Sequence, residues 1–162
     1  MRAKFVYENM RFERGQDPKK SMGIGRKSLI KKWFDDLDVS PDDYTIDDKL
    51  NIKVGGYLDL RNTPITSLPD NLTVRRFLDL ANTPITSLPD NLSVGGSLYL
   101  RNTQITYLPD NLSVGESLYL RNTKITSLPD NLSVGGSLYL TNTPITSLPD
   151  SLKVKGRIFK DF

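Results

Sequence analysis

The chain has 162 residues, with 22 Lys and Arg against 19 Asp and Glu and a formal net charge of +3. It has neither histidine nor cysteine, which removes imidazole acid–base chemistry, thiol nucleophiles, disulfides and Cys/His zinc sites. No apolar run approaches the ~18 residues of a membrane span, and Met1-Arg2-Ala3-Lys4-Phe5 lacks the apolar stretch that opens a signal peptide. A cytoplasmic protein without a resident cofactor or metal is expected.

The charge is unevenly spread. Residues 1–32 carry +7, residues 33–50 carry −6, and residues 51–162 carry +2. Residues 1–25 therefore read as a basic leader, either a partly flexible solvated arm or a contact for nucleic acid or an acidic partner. Phe5, Val6, Tyr7 and Phe12 could form a short strand there. Gly23 and Gly25 do not form a phosphate-binding loop, because the Gly-x-x-x-x-Gly-Lys-Ser spacing is missing.

From Arg26 to Asp38 the pattern turns helical. Leu29, Ile30, Trp33, Phe34 and Leu37 make one apolar stripe, and Lys27, Lys31 and Lys32 fall mostly off it. Asp38, Ser40 and Pro41 should stop the helix. The stripe needs a partner, and the open end of the structure that follows is the obvious one, with Trp33 as the main anchor. Asp42 to Lys53 reads as an imperfect first coil, so residues 26–53 together form an N-terminal cap.

Residues 54–152 hold five copies of a twenty-residue unit without insertion. Leu58 to Leu138, Leu60 to Leu140, Thr63 to Thr143, Ile65 to Ile145, Leu68 to Leu148 and Pro69 to Pro149 all recur in that step. A fixed period of this size is the signature of a solenoid. Leu-x-Leu alternation turns both leucines of a copy inward as a strand. The chain can bend at Gly95-Gly96 and at Leu108-Pro109-Asp110-Asn111. One coil cannot bury enough to offset the ordering of its own backbone, so several must stack. Residues 153–162 begin another strand, with Ile158 in the first leucine position and Lys160 in the second. Lys153, Lys155, Arg157 and Lys160 crowd this edge and discourage further pairing. An edge-mediated homodimer through Phe159 and Phe162 is the alternative to a monomer.

The run Val-x-x-x-Leu-x-Leu-x-x-Thr-x-Ile resembles the leucine-rich repeat consensus, with Thr where that family commonly carries an inward Asn. The Ile-x-x-Leu-Pro-x-x-Leu continuation resembles the short bacterial type and repeat proteins of tailed bacteriophages. The resemblance covers Leu50 to Ile158. It implies a parallel β-sheet wound from short coils and a binding role, with a thinner ladder on Thr63 to Thr143. Some bacterial proteins of this type are ubiquitin ligases with a catalytic Cys; this chain has no Cys, so that activity does not carry over.

The outward residues beside the leucines line up in columns ~4.8 Å apart. One reads Asp59, Asp79, Tyr99, Tyr119, Tyr139, Phe159. Its neighbour reads Arg61, Ala81, Arg101, Arg121, Thr141, Asp161, and the third reads Tyr57, Phe77, Ser97, Ser117, Ser137, Arg157. Tyrosine beside arginine is the composition of interface hot spots, and small serines would leave the ring faces reachable. The expected function is a non-enzymatic protein-binding module using Tyr57, Phe77, Tyr99, Tyr119, Tyr139, Phe159, Arg61, Arg101 and Arg121. The alternatives are nucleic-acid binding by base stacking on the same rings, with the basic leader assisting, and self-association. Asp59 and Asp79 should sit side by side, with Arg61 and Arg75 or Arg76 near enough to neutralise them. The Asp70 to Asp150 and Asn62 to Asn142 series read as turn residues bonding local backbone.

Overall fold

The computed structural model describes residues 25–162; the leader expected at residues 1–25 lies outside them except for Gly25. The twenty-residue repeat winds into a β-solenoid of parallel sheets. Each turn of the winding contributes two short strands rather than one. The first set is β2 (Ile52–Val54), β4 (Leu72–Val74), β6 (Ser93–Val94), β8 (Ser113–Val114), β10 (Ser133–Val134) and β12 (Lys153–Val154). The second is β3 (Leu58–Asp59), β5 (Leu78–Asp79), β7 (Leu98–Tyr99), β9 (Leu118–Tyr119), β11 (Leu138–Tyr139) and β13 (Ile158–Phe159). Every pair within a set runs parallel and in register at twenty residues, so Leu98 faces Leu118 and Val94 faces Val114.

The Gly95-Gly96 corner separates the two sheets. A Cβ on Gly115 would land on the carbonyl of Gly95, and one on Gly135 on that of Gly115. The constraint is close approach of one coil's backbone to the next.

The second corner lies at the Asn62, Asn82, Asn102, Asn122 and Asn142 positions. Each has φ between +55° and +60°, a region that Asn tolerates better than most side chains. The following threonine completes the turn. Thr103 Oγ1 donates to the Leu100 carbonyl at 2.7 Å, and the other four threonines do the same within their own coils. These hydroxyls therefore fasten a coil to itself and do not form the ladder expected of them.

The third side has no regular strand. Gln104 N–H donates to Ile85 O and Lys124 N–H to Ile105 O, both at 3.2 Å. Pro64, Pro84 and Pro144 occupy the same position and have no N–H to give. The Pro-Asp-Asn-Leu turn then closes by backbone, as in Leu112 N–H to Pro109 O at 3.1 Å.

Inward residues from all three sides make one continuous core, including Val94, Leu98, Leu100, Ile105, Leu108 and Leu112. At the N-terminal end it is closed by α1 (Arg26–Asp35), which buries Ile30, Trp33 and Phe34. Phe34 is completely covered and stacks on Tyr44 at 4.0 Å between ring centres, so the anchor is shared between Trp33 and Phe34. Leu29 stays exposed at the margin of the stripe. Residues 42–53 are not an imperfect coil. They form an antiparallel hairpin, with β1 (Tyr44–Ile46) pairing Tyr44 with Val54 and Ile46 with Ile52. Asp47 pins the hairpin loop by accepting from Lys49 N–H, Asn51 N–H and Asn51 Nδ2.

Gly115→Ala is expected to destabilise the solenoid by about 1–3 kcal/mol, the cost of forcing extra volume into a packed site. Gly56→Ala, at the same corner of the first coil but facing open space, should leave the melt almost unchanged. Thermal unfolding followed by circular dichroism checks the pair.

Candidate functional site: the aromatic face

All nine residues read from the sequence as binding residues lie on or beside the outer face of the six-stranded sheet, in the order β13-β11-β9-β7-β5-β3. The register places Asp59 beside Asp79, Asp79 beside Tyr99, and Tyr99, Tyr119, Tyr139 and Phe159 in one file.

The rings form a stack. Tyr99 and Tyr119 lie 4.5 Å apart at 8°, Tyr119 and Tyr139 4.4 Å at 8°, and Tyr139 and Phe159 4.6 Å at 4°. Tyr57 and Phe77, two residues earlier in their coils, stack at 4.9 Å and 7°. Phe77 meets Tyr99 edge to face at 6.2 Å and 88°. Six rings thus run continuously along the solenoid, crossing from one column to the next between the second and third coils. Parallel strand spacing makes this inevitable once identical aromatics occupy one column.

The stack corrects the expectation that the ring faces are reachable. Neighbouring rings cover those faces, and the tyrosines of the central coils are half-buried. The partner-facing parts are ring edges and hydroxyls. Burial, with Tyr99 and Tyr139 adding, pushes the Tyr119 hydroxyl above its ordinary value, against the opposing pull of the Ser117 hydroxyl.

Serine fills the column that the aromatics leave. Ser97 Oγ accepts from Ser117 N–H, Ser117 Oγ from Ser137 N–H, and Ser137 Oγ from Arg157 N–H, at 3.0–3.3 Å. On the opposite margin, Asn82, Asn102, Asn122 and Asn142 each donate Nδ2 to the Oδ1 of the asparagine one coil earlier, at 2.7–2.9 Å. The asparagines therefore bind coil to coil, where the sequence reading gave them local backbone bonds only. The twenty-residue recurrence of Asn, at the same step as the leucines, was the available signal.

At the N-terminal end of the face two carboxylates share one arginine. Arg61 holds Asp59 through Nε at 2.9 Å and Nη2 at 2.6 Å, and its Nε lies 3.4 Å from Asp79. Arg75 and Arg76 take no part; they line a shallow hollow with Asp42, Asp43, Gly55, Gly56 and Tyr57. The hydrogen bonds from Arg61 hold Asp59 below the usual carboxylate range. Asp79 is 5% exposed and goes the other way. Burial raises it, against the opposing pull of Ala81 N–H and Arg61. Among the described residues, no group of three or more His, Cys, Asp or Glu converges to hold a metal ion. No helix among them is long and apolar enough to cross a membrane.

The two aspartates should give opposite pH signatures. Asp59 contributes stability above its unfolded pKa, which is lost as pH falls through its depressed folded value. For Asp79 the folded state holds its proton more tightly than the unfolded one. Stability therefore falls as pH rises from the ordinary carboxylate value through the raised one. Asp79→Asn, which retains an oxygen for Ala81 N–H, should raise the melting temperature at pH 7, with the gain vanishing in acid. Asp59→Asn should lower the melting temperature at pH 7, with the loss closing in acid. Melts between neutral and acid pH check both signs.

No protein-family model matches the chain, and neither does a curated protein or a solved structure.

Proposed function

We propose that this protein is a non-enzymatic module that binds another protein through the aromatic face of its solenoid. The single observation that carries the reading is the stack of Tyr99, Tyr119, Tyr139 and Phe159, flanked by exposed Arg101 and Arg121. The leucines already supply the core, so fold stability alone does not call for tyrosine in this column. A stacked ring has lost its rotamer freedom before a partner arrives, which lowers the cost of association. The residue types are those of hot spots. Leucine-rich repeat identity of the short bacterial or bacteriophage kind, and a cytoplasmic location, remain part of this proposal on the repeat spacing and the motif resemblance.

Nucleic-acid binding is the second reading, and the geometry weighs against its base-stacking form. Rings 4.4–4.6 Å apart leave no room for a base between them. Among the described residues, the ring faces without a stacked ring are the outer faces of Tyr57 and Phe159 and one face at the edge-to-face junction of Phe77 and Tyr99.

The stack also dictates how the proposal is tested. Tyr→Ala changes would remove ring contacts worth about 0.5–1.5 kcal/mol per pair and confuse binding with folding. Tyr99→Phe, Tyr119→Phe and Tyr139→Phe together keep the stack and delete the hydroxyls. At about 0.5–1.5 kcal/mol per hydrogen bond, the triple variant should retain at least about tenfold less partner in affinity capture from the native host. Ser93→Ala, Ser113→Ala and Ser133→Ala, on the other sheet, should retain as much as the unaltered chain. Equal capture by the tyrosine variant removes the proposal. Capture of nucleic acid that collapses as salt is raised moves the assignment to the second reading.

A further inference from the structure

The repeats serve as their own comparison. In the first coil an arginine in the second column, Arg61, is answered by a carboxylate two residues earlier, Asp59, gripped at 2.6–3.1 Å. The third and fourth coils keep the arginine, as Arg101 and Arg121, but replace that aspartate with Tyr99 and Tyr119. The second coil keeps the carboxylate, as Asp79, and loses the arginine, as Ala81; the fifth has neither, with Tyr139 and Thr141. Only the two central coils keep the cation after losing its partner, and they are neighbours through β7 and β9.

The remaining carboxylates of this face are already engaged. Asp59 and Asp79 hold Arg61, and Asp79 also accepts from Ala81 N–H and attracts Arg101 only from beyond ion-pair distance. Glu116 accepts from Ser97 Oγ at 3.0 Å, and Asp161 accepts from Asn142 N–H. Arg101 and Arg121 are exposed and form no ion pair among the described residues. Strand spacing holds their backbones ~4.8 Å apart, and like charges opposite one another on a sheet repel. Beside them lie the tyrosine edges, the electropositive rim of the ring, with hydroxyl donors.

Resting on the protein-binding reading above, we propose that the partner presents an acidic helix to Arg101 and Arg121, its carboxylates supplying the counter-charge that Asp59 gives Arg61. Helix residues three or four apart stand ~5–6 Å from one another, close to the spacing of the two arginines. Each guanidinium receives a carboxylate through two N–H groups, and the tyrosine hydroxyls donate alongside. A nucleic-acid phosphate chain fits less well. Its charge runs the whole length of the face, past Asp59, Asp79 and the turn aspartates from Asp70 to Asp150, whereas a helix confines its carboxylates to the two central coils.

The test uses the full chain and a labelled alanine-rich peptide of about 20 residues, long enough to be helical, carrying Glu pairs at i and i+4 on one face. Its Gln counterpart and an oligothymidylate of equal charge are the comparison probes, all read by fluorescence anisotropy. The Glu peptide should bind at least about tenfold more tightly than the Gln peptide. Arg101→Gln with Arg121→Gln should abolish that preference, whereas Arg75→Gln with Arg76→Gln, an equal loss of charge at a corner, should preserve it. No preference for Glu, equal losses in both double variants, or tighter binding of the oligothymidylate overturns the proposal. If the tyrosine variants lose captured protein while the arginine variants do not alter peptide binding, the binding face stands and its acidic partner falls.

Discussion

Everything on this surface follows from one backbone arrangement, the parallel ladder that sets each coil one strand spacing above the last. Leu98 N–H donates to Ser117 O, Leu100 to Tyr119 O and Asn102 to Arg121 O, and the pattern repeats every twenty residues. Each side chain therefore stands beside its counterpart from the next coil. That rule sorts residue types. A ring gains by lying on a ring, an amide can donate to an amide, and a hydroxyl can accept from the next backbone N–H. A guanidinium gains nothing from a guanidinium. The outer surface carries the first three kinds as ladders. Where it carries the fourth twice in succession, the described residues supply no ion pair, only the more distant pull of buried Asp79 on Arg101.

The same rule explains what could be read without coordinates. Period and alternation were sufficient for the winding, the inward leucines and the column order, because an in-register stack converts a sequence offset of twenty directly into contact. Asp59 beside Asp79 and Tyr99 beside Tyr119 needed no further information. Strand pairs of two residues, such as Ser93–Val94, were not legible. Alternation needs several residues to declare itself, and the glycine corner follows at once. The division of labour between Thr103 and Asn102 was hidden for a different reason. Both can bond either locally or laterally, and the choice depends on the left-handed φ of the asparagine, which turns its amide toward the coil before it.

The two ends solve the same problem unequally. At the start, a hairpin strand laid antiparallel on β2 breaks the parallel ladder, and α1 lowers Ile30, Trp33 and Phe34 onto the core. Ile52 beneath them is fully covered. In the last coil, Leu152 and Val154 are half-buried and Ile158 is exposed. Lys160 folds over Phe162 at 4.3 Å, and Asp161 satisfies the Asn142 N–H that elsewhere meets a carbonyl of the following coil. Side chains there stand in for a missing rung. They satisfy polar groups better than they cover apolar ones.

The aromatic file changes column between Phe77 and Tyr99, and the charges change with it. Where the rings sit early in the coil, the later position holds Asp59 or Asp79, and Arg61 is consumed in place. Where the rings of the central coils sit later, serine takes the early position and joins the backbone ladder, and the acid on that stretch, Glu116, accepts from Ser97 rather than pairing with an arginine. A shift of two residues in a ring thus divides the face into an acidic part, where two carboxylates share one arginine, and a cationic part. The rings themselves stay continuous across the boundary, at 6.2 Å edge to face. A partner moving along this surface meets an uninterrupted aromatic rail whose electrostatic character reverses partway. That reversal gives binding a direction along the solenoid, because a complementary surface fits in one orientation and meets like charge in the other.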